Sequence, residues 1–184
     1  AAWKNDGTDA NLDQRAGDHH DGMEYFGLNA AGTAADKTSS ERGLLAINHE
    51  ATSNVVDVRS YYLHANGGTL NPRPAAEADK EIAVHGVSIV EVRKTGGSWG
   101  YVQGSAYNRR ITPLTPLQMS GPVRGNALLK TKYSTDGTGT RGTLNNCGTG
   151  ITPWGTDLTG EENWAGYFCR SSTDNAARGS DKSV

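Results

Sequence analysis

Apolar residues along this chain come in short clusters broken by glycine, proline and polar residues. Nowhere do they keep the three-and-four spacing that a helical bundle requires. The clearest strand signal covers residues 87–92, Val-Ser-Ile-Val-Glu-Val, which are rich in β-branched side chains. Thr95-Gly96-Gly97 then reads as a turn and residues 99–102 as the return strand, so a hairpin is predicted. Residues 44–47 are an apolar run ending in Asn48-His49-Glu50, which places polar groups at a strand's end. Further strands are expected over 58–63, 144–147 and 154–158, with Asn66-Gly67-Gly68 as a turn. Pro74, followed by Ala75, Ala76, Glu77 and Ala78, predicts a short helix through residue 82. Residues 161–164 predict a helical turn. Residues 1–42, punctuated by glycine, and the proline- and glycine-rich stretch 104–142 read as mostly irregular. The polar residues 171–184 read as a mobile tail or a cut end.

The pattern predicts a mainly β chain with long Gly/Pro-rich loops and few short helices, one segment over residues 1–184. Short strands at irregular spacing suit the blades of a β-propeller and suit a sandwich fragment nearly as well. Composition agrees: 24 glycines and only two phenylalanines in 184 residues favour turns and short strands. The formal net charge is −2 and the basic residues do not cluster, which argues against nucleic acid as a partner. No apolar run is long enough to span a membrane. Ala1-Ala2-Trp3-Lys4 does not open a signal peptide, so a mature or trimmed chain is expected.

Candidate chemistry concentrates late in the chain. Asn145-Asn146-Cys147-Gly148 puts a thiol in a glycine-flanked turn, and the carboxylates Glu161 and Glu162 follow. A thiolate suits transition metals and carboxylates suit hard cations. The same residues also fit a buried cysteine beside a solvated acidic turn. Cys147 and Cys169 are the only two cysteines, and a disulfide between them is the other plain reading. Asp18-His19-His20-Asp21 looks like a metal cluster in sequence. Neighbours on a strand point to opposite faces, however, so both histidines cannot easily serve one ion. Asp21 is kept as the candidate ligand there. By the same argument His49 points away from Glu50, and His85 reads as a core or turn histidine. Arg109 and Arg110 fit either a phosphate clamp or braces on loop carbonyls.

Several motifs, taken together, resemble the PhoX-type alkaline phosphatases. They are Leu44-Leu45-Ala46-Ile47-Asn48-His49-Glu50, His85-Gly86-Val87-Ser88-Ile89-Val90-Glu91-Val92, Asn108-Arg109-Arg110-Ile111-Thr112, Ser120-Gly121-Pro122, Asn145-Asn146-Cys147, Thr152-Pro153-Trp154-Gly155-Thr156 and Glu161-Glu162-Asn163. They stand in the family's order over roughly residues 17–168. The resemblance implies a β-propeller-like fold, export in the folded state by the twin-arginine route, and a periplasmic or extracellular location. It implies a cluster of ferric iron (Fe3+) and calcium (Ca2+) that hydrolyses phosphate monoesters to release phosphate. Cys147 would bridge two irons, Glu50 and Glu161 or Glu162 would be carboxylate ligands, and Asn146 would contact the substrate phosphate. Family chains are several times longer, with further ligands and a phosphate-binding arginine in parts that have no counterpart here. This chain is therefore expected to be the amino-terminal part of a larger phosphatase domain, partnered by the remainder of the same protein or a companion chain. The alternatives are a non-catalytic, calcium-stabilised propeller module for binding or assembly, and a disulfide-stapled domain without metal.

Overall fold

The computed structural model describes residues 3–4, 6–52, 64, 72–168 and 173. The expected strand at 58–63, the turn at Asn66, Cys169 and nearly all of the tail lie outside them. The described chain is mainly β with few helices. Its strands are β1 His20–Gly27, β2 Arg42–His49, β3 Gly86–Thr95, β4 Ser98–Tyr101, β5 Arg109–Ile111, β6 Pro116–Gln118, β7 Gly139–Arg141, β8 Asn146–Ile151 and β9 Asp157–Glu161. Its one α-helix, α1, spans Ala75–Val84, and short 3-10 turns cover Leu12–Gln14, Ala127–Leu129 and Trp164–Tyr167. No described helix is long and apolar enough to cross a membrane.

A five-stranded antiparallel sheet runs β1-β2-β3-β4, and β5 pairs with the start of β3 beyond the end of β4. β6 pairs with β7, and β8 pairs with β9. No closed propeller forms among the described residues. The predicted hairpin is β3–β4, with Gly96 and Gly97 at positive φ in its turn. Pro74 sits one residue before the helix as its cap rather than as its first residue. Between α1 and β3 the chain turns at Gly86, whose φ of 103° excludes a side chain at little cost only for glycine. A Cβ there would also collide with the Ile111 carbonyl of β5.

Residues 1–42 are more ordered than expected, because β1 runs through them. Its glycines permit close approach rather than breaking the strand. A Cβ at Gly22 would stand 2.5 Å from the Cys147 carbonyl oxygen and 2.8 Å from Thr149 Cγ2, so this glycine lets β1 pack on β8. The irregular stretch before β1 is also anchored. Trp3 Nε1 donates to the Ala16 carbonyl at 2.7 Å, and Asp9 bridges Arg15 (3.2 Å) and Lys80 of α1 (2.6 Å).

Among the described residues the buried apolar core is small: Leu28, Ala46, Ala83, Val84, Val87 and Ile89. Polar side chains complete it, among them Asn48, His49, His85, Ser88, Glu91, Asn145 and Asn146. Each must find partners, since an unpaired buried polar group costs about 1–3 kcal/mol. Glu91 accepts from Arg42 Nε at 2.6 Å and from the Ser105 hydroxyl at 2.5 Å. Those bonds, that of Ser105 foremost, hold its carboxyl below the usual glutamate range. They also tie the loop after β4 to β2 and β3.

Candidate metal centre

Three sequence-distant segments meet at one corner of the sheet. β1 supplies Asp21, the residue just past β2 is Glu50, and β8 supplies Cys147. One ligand atom from each lies within 4.8 Å of the other two. Glu162, just past β9, is near enough to the thiol to help raise its pKa. Cys147 is a free thiol, which leaves the disulfide reading without support.

Local structure fixes each ligand. The Glu50 N–H donates to the His19 carbonyl at 2.9 Å, locking the exit from β2 against the start of β1. Asn48 Nδ2 donates to the carbonyls of Cys147 (2.8 Å) and Gly148 (3.1 Å), joining β2 to β8 beneath the thiol. The β8–β9 pairing is irregular between Asn146 and Thr149, so a bulge sits at the cysteine. Such a bulge re-aims a side chain. Asn145 enters β8 at φ 50°, a left-handed conformation that asparagine tolerates better than most residues. Its carbonyl accepts from the Glu162 N–H at 2.9 Å, and its Nδ2 donates to the Glu50 carbonyl at 3.1 Å.

Electrostatically, the corner crowds carboxylates around a thiol. Burial, then hydrogen bonding to Glu50, Asp21 and Glu162, pushes the Cys147 thiol far above the usual range. Burial, followed by the negative charges of Glu50 and Cys147, raises the nearby Tyr167 hydroxyl as well. Carboxylates crowded against a thiol reverse this logic when a cation joins them, because the cation favours every charged form at once. The donor set is a soft sulfur with hard oxygens, which fits a site for transition metal and calcium. Asn145 Oδ1, two residues before the cysteine, is buried without a hydrogen-bond partner among the described residues. Buried amide oxygens of that kind are normally satisfied by protein, water or an ion. The residues therefore fit the metals that the sequence motifs imply.

Other expected residues fall elsewhere. Glu161 Oε1 accepts from the Thr143 hydroxyl at 2.6 Å and the Leu144 N–H at 3.0 Å, so it braces the approach to β8. Asn146 is fully buried, and its Nδ2 donates to Thr143 (3.0 Å) and Thr159 (2.8 Å). Those bonds use both hydrogens of the Asn146 amide and leave its Oδ1 without a partner among the described residues. Arg110 is a brace, donating to the carbonyls of Ala83 (2.8 Å) and His85 (2.7 Å). Arg109 reaches the Tyr107 carbonyl.

None of the histidines joins the three-ligand group. His19 Nδ1 lies 3.1 Å from Asp18 Oδ2, and the His20 ring packs on His49 with centroids 4.8 Å apart. His49 is buried with Nε2 2.6 Å from the Ser88 hydroxyl, and burial, then the Arg110 charge, lowers its pKa to about 3. Asn48 and Tyr167 carry structural roles at the site that the spacing of motifs alone did not assign. The one clue was the polar Asn48-His49-Glu50 at the end of an apolar strand.

A family model described as alkaline phosphatase PhoX matches residues 2–183. Among solved structures, Pseudomonas fluorescens PhoX in complex with vanadate, a transition state analogue, is 41% identical to this chain with a TM-score of 0.72. The match covers 85% of this chain and 24% of that one, so the chain spans about a quarter of the structure it resembles. No curated protein sequence matches the chain.

Proposed function

This chain belongs to the PhoX alkaline phosphatase family, and from that premise we propose that it is the amino-terminal part of an exported enzyme that hydrolyses phosphate monoesters. Its metal centre is built on Cys147, Glu50, Asp21 and Glu162. The observation that carries this reading is the convergence of Asp21, Glu50 and Cys147 from three segments within 4.8 Å. The vanadate bound by the related Pseudomonas fluorescens protein, described there as a transition state analogue, supports phosphoryl transfer as the chemistry.

Hydrolysis of a phosphate monoester is among the slowest uncatalysed reactions, so the catalyst must supply a large charge stabilisation. When bound, ferric iron and calcium place positive charge at the phosphoryl oxygens and activate the nucleophile. The chain's own residues prepare that arrangement. Cys147 gives up its thiol proton on binding, which makes loading proton-releasing. Glu50, Asp21 and Glu162 provide oxygens around the sulfur, and the Asn48 and Asn145 amides hold the backbone that carries them. In this reading the propeller-like architecture is completed by the remainder of the same protein or a companion chain, which brings the further ligands and phosphate contacts. Periplasmic or extracellular release of phosphate is the physiological role.

The test is elemental analysis of the complete phosphatase, coupled to hydrolysis of p-nitrophenyl phosphate. Iron with calcium, together with activity, is the expected result. Calcium alone without activity would instead fit a binding module, and absence of both metals would overturn the proposal.

A further inference from the structure

A hydrogen-bonded line of side chains runs from the end of the helix to Asn145, two residues before Cys147. His85 ends α1, is 3% exposed, and has Nδ1 2.7 Å from the Glu81 carbonyl oxygen. A carbonyl only accepts, so Nδ1 carries the hydrogen and Nε2 is left as an acceptor. The Tyr167 hydroxyl lies 3.1 Å from that Nε2 and donates to it. The Tyr167 oxygen then accepts from Asn145 Nδ2 at 3.4 Å, whose other hydrogen goes to the Glu50 carbonyl at 3.1 Å. From Asn145 Nδ2 through Tyr167 and His85 to the Glu81 carbonyl each group donates to the next, and the second Nδ2 hydrogen goes the other way, to Glu50. The ring of Tyr167 is set edge-on to His85, with centroids 5.0 Å apart and planes at 89°. Its hydroxyl position is thus defined by packing as well as by hydrogen bonds.

Asn145 is where this line meets the ligands. Its side chain holds the carbonyl of Glu50 and its own carbonyl holds the N–H of Glu162. We infer that Tyr167, oriented by His85, is a positioning residue for the metal centre, acting through Asn145 on Glu50, Glu162 and the turn that carries Cys147. This inference rests on the proposed function, since it assigns the line a role toward that centre. Outer partners of this kind typically change metal affinity or activity 10–100-fold when removed. A purely structural tyrosine would change stability without selecting for metal.

The test uses the complete phosphatase and two variants. Tyr167→Phe deletes only the hydroxyl and keeps the ring contact. Asn145→Gly permits the left-handed backbone and deletes the amide. Iron retention is measured by competition with a chelator, alongside the melting temperature of the metal-free form and kcat and KM for p-nitrophenyl phosphate. Each variant is expected to hold iron about tenfold more weakly, beyond what any lowering of its metal-free melting temperature accounts for, with the loss of rate in kcat rather than KM. The double variant should be no worse than the poorer single one, because both cut the same line. Iron retention equal to wild type, or losses that add in full, would overturn the inference. Should Tyr167→Phe fail to fold, Asn145→Gly decides alone on its iron retention. A wild-type enzyme without iron would sink the proposed function, and this inference with it; an iron-loaded wild type matched by its variants would sink the inference only.

Discussion

Cys147 and Asn146 are neighbours on β8, and their side chains serve different sides of the strand. Asn146, Thr159 and Glu161 share one side, where they bond to one another's partners Thr143 and Asn48. Cys147 and Glu162 share the other. On the proposed reading, that parity assigns Glu162 rather than Glu161 to the metal centre. Glu162→Gln removes a ligand charge and should weaken metal binding by at least tenfold. Glu161→Gln should leave metal binding near wild type and cost on the order of 1 kcal/mol of stability, the usual worth of a hydrogen bond. Titration of each variant with metal, beside a denaturant melt, measures both. Equal metal loss in the two variants would contradict the assignment. The residue types that converge were legible in the motifs, since a thiol in a glycine-flanked turn and carboxylates at strand ends are chemical signals in themselves. The hydrogen-bond partners of Asn146 and Glu161 were not, because they depend on where a bulge shifts the strand's parity.

At the scale of elements, the β3–β4 hairpin and the helix were readable because turn residues and β-branched runs act locally. β1 was hidden because its glycines imitate loop punctuation, whereas they serve contacts made far along the chain. Gly22 illustrates this. Gly22→Val should force β1 away from β8, costing about 1–3 kcal/mol by overpacking and withdrawing Asp21 from the other ligands. Loss of metal binding together with a lower melting temperature is the expected outcome. Retained metal binding would show that β1 does not need its close approach. A second element-level effect concerns His85, at the joint of α1 and β3. Burial lowers its pKa below the ordinary 6.5, so the folded state refuses a proton that the unfolded state accepts. Above that value both states are neutral and His85 contributes nothing to the pH dependence. As pH falls below it, stability is lost at up to about 1.4 kcal/mol per unit until the folded pKa is reached. His49 adds a slope of the same sign. Comparing the metal-free protein with His85→Gln from pH 7 to 5 isolates the His85 share: the variant's profile should be flatter, and parallel profiles would contradict it.

The whole molecule presents more apolar surface than its core can explain. Trp154, Leu158, Trp164 and Phe168 are exposed along and after the β8–β9 hairpin. β9 shows four exposed residues of five, and has no second partner strand among the described residues. A cavity of about 760 Å³ lined by Leu114, Leu128, Leu129, Tyr133, Tyr167 and Phe168 opens beside the cluster. The chain spans about a quarter of the solved structure it resembles, and these faces are where the proposed further polypeptide would pack. The central claim is that Cys147 is a metal ligand, and X-ray absorption at the iron edge of the complete enzyme tests it most directly. The account predicts sulfur in the iron coordination sphere at a thiolate distance of about 2.3–2.5 Å, absent from the Cys147→Ser variant. Iron bound through oxygen and nitrogen alone in the wild type, or a sulfur signal that survives Cys147→Ser, would contradict it.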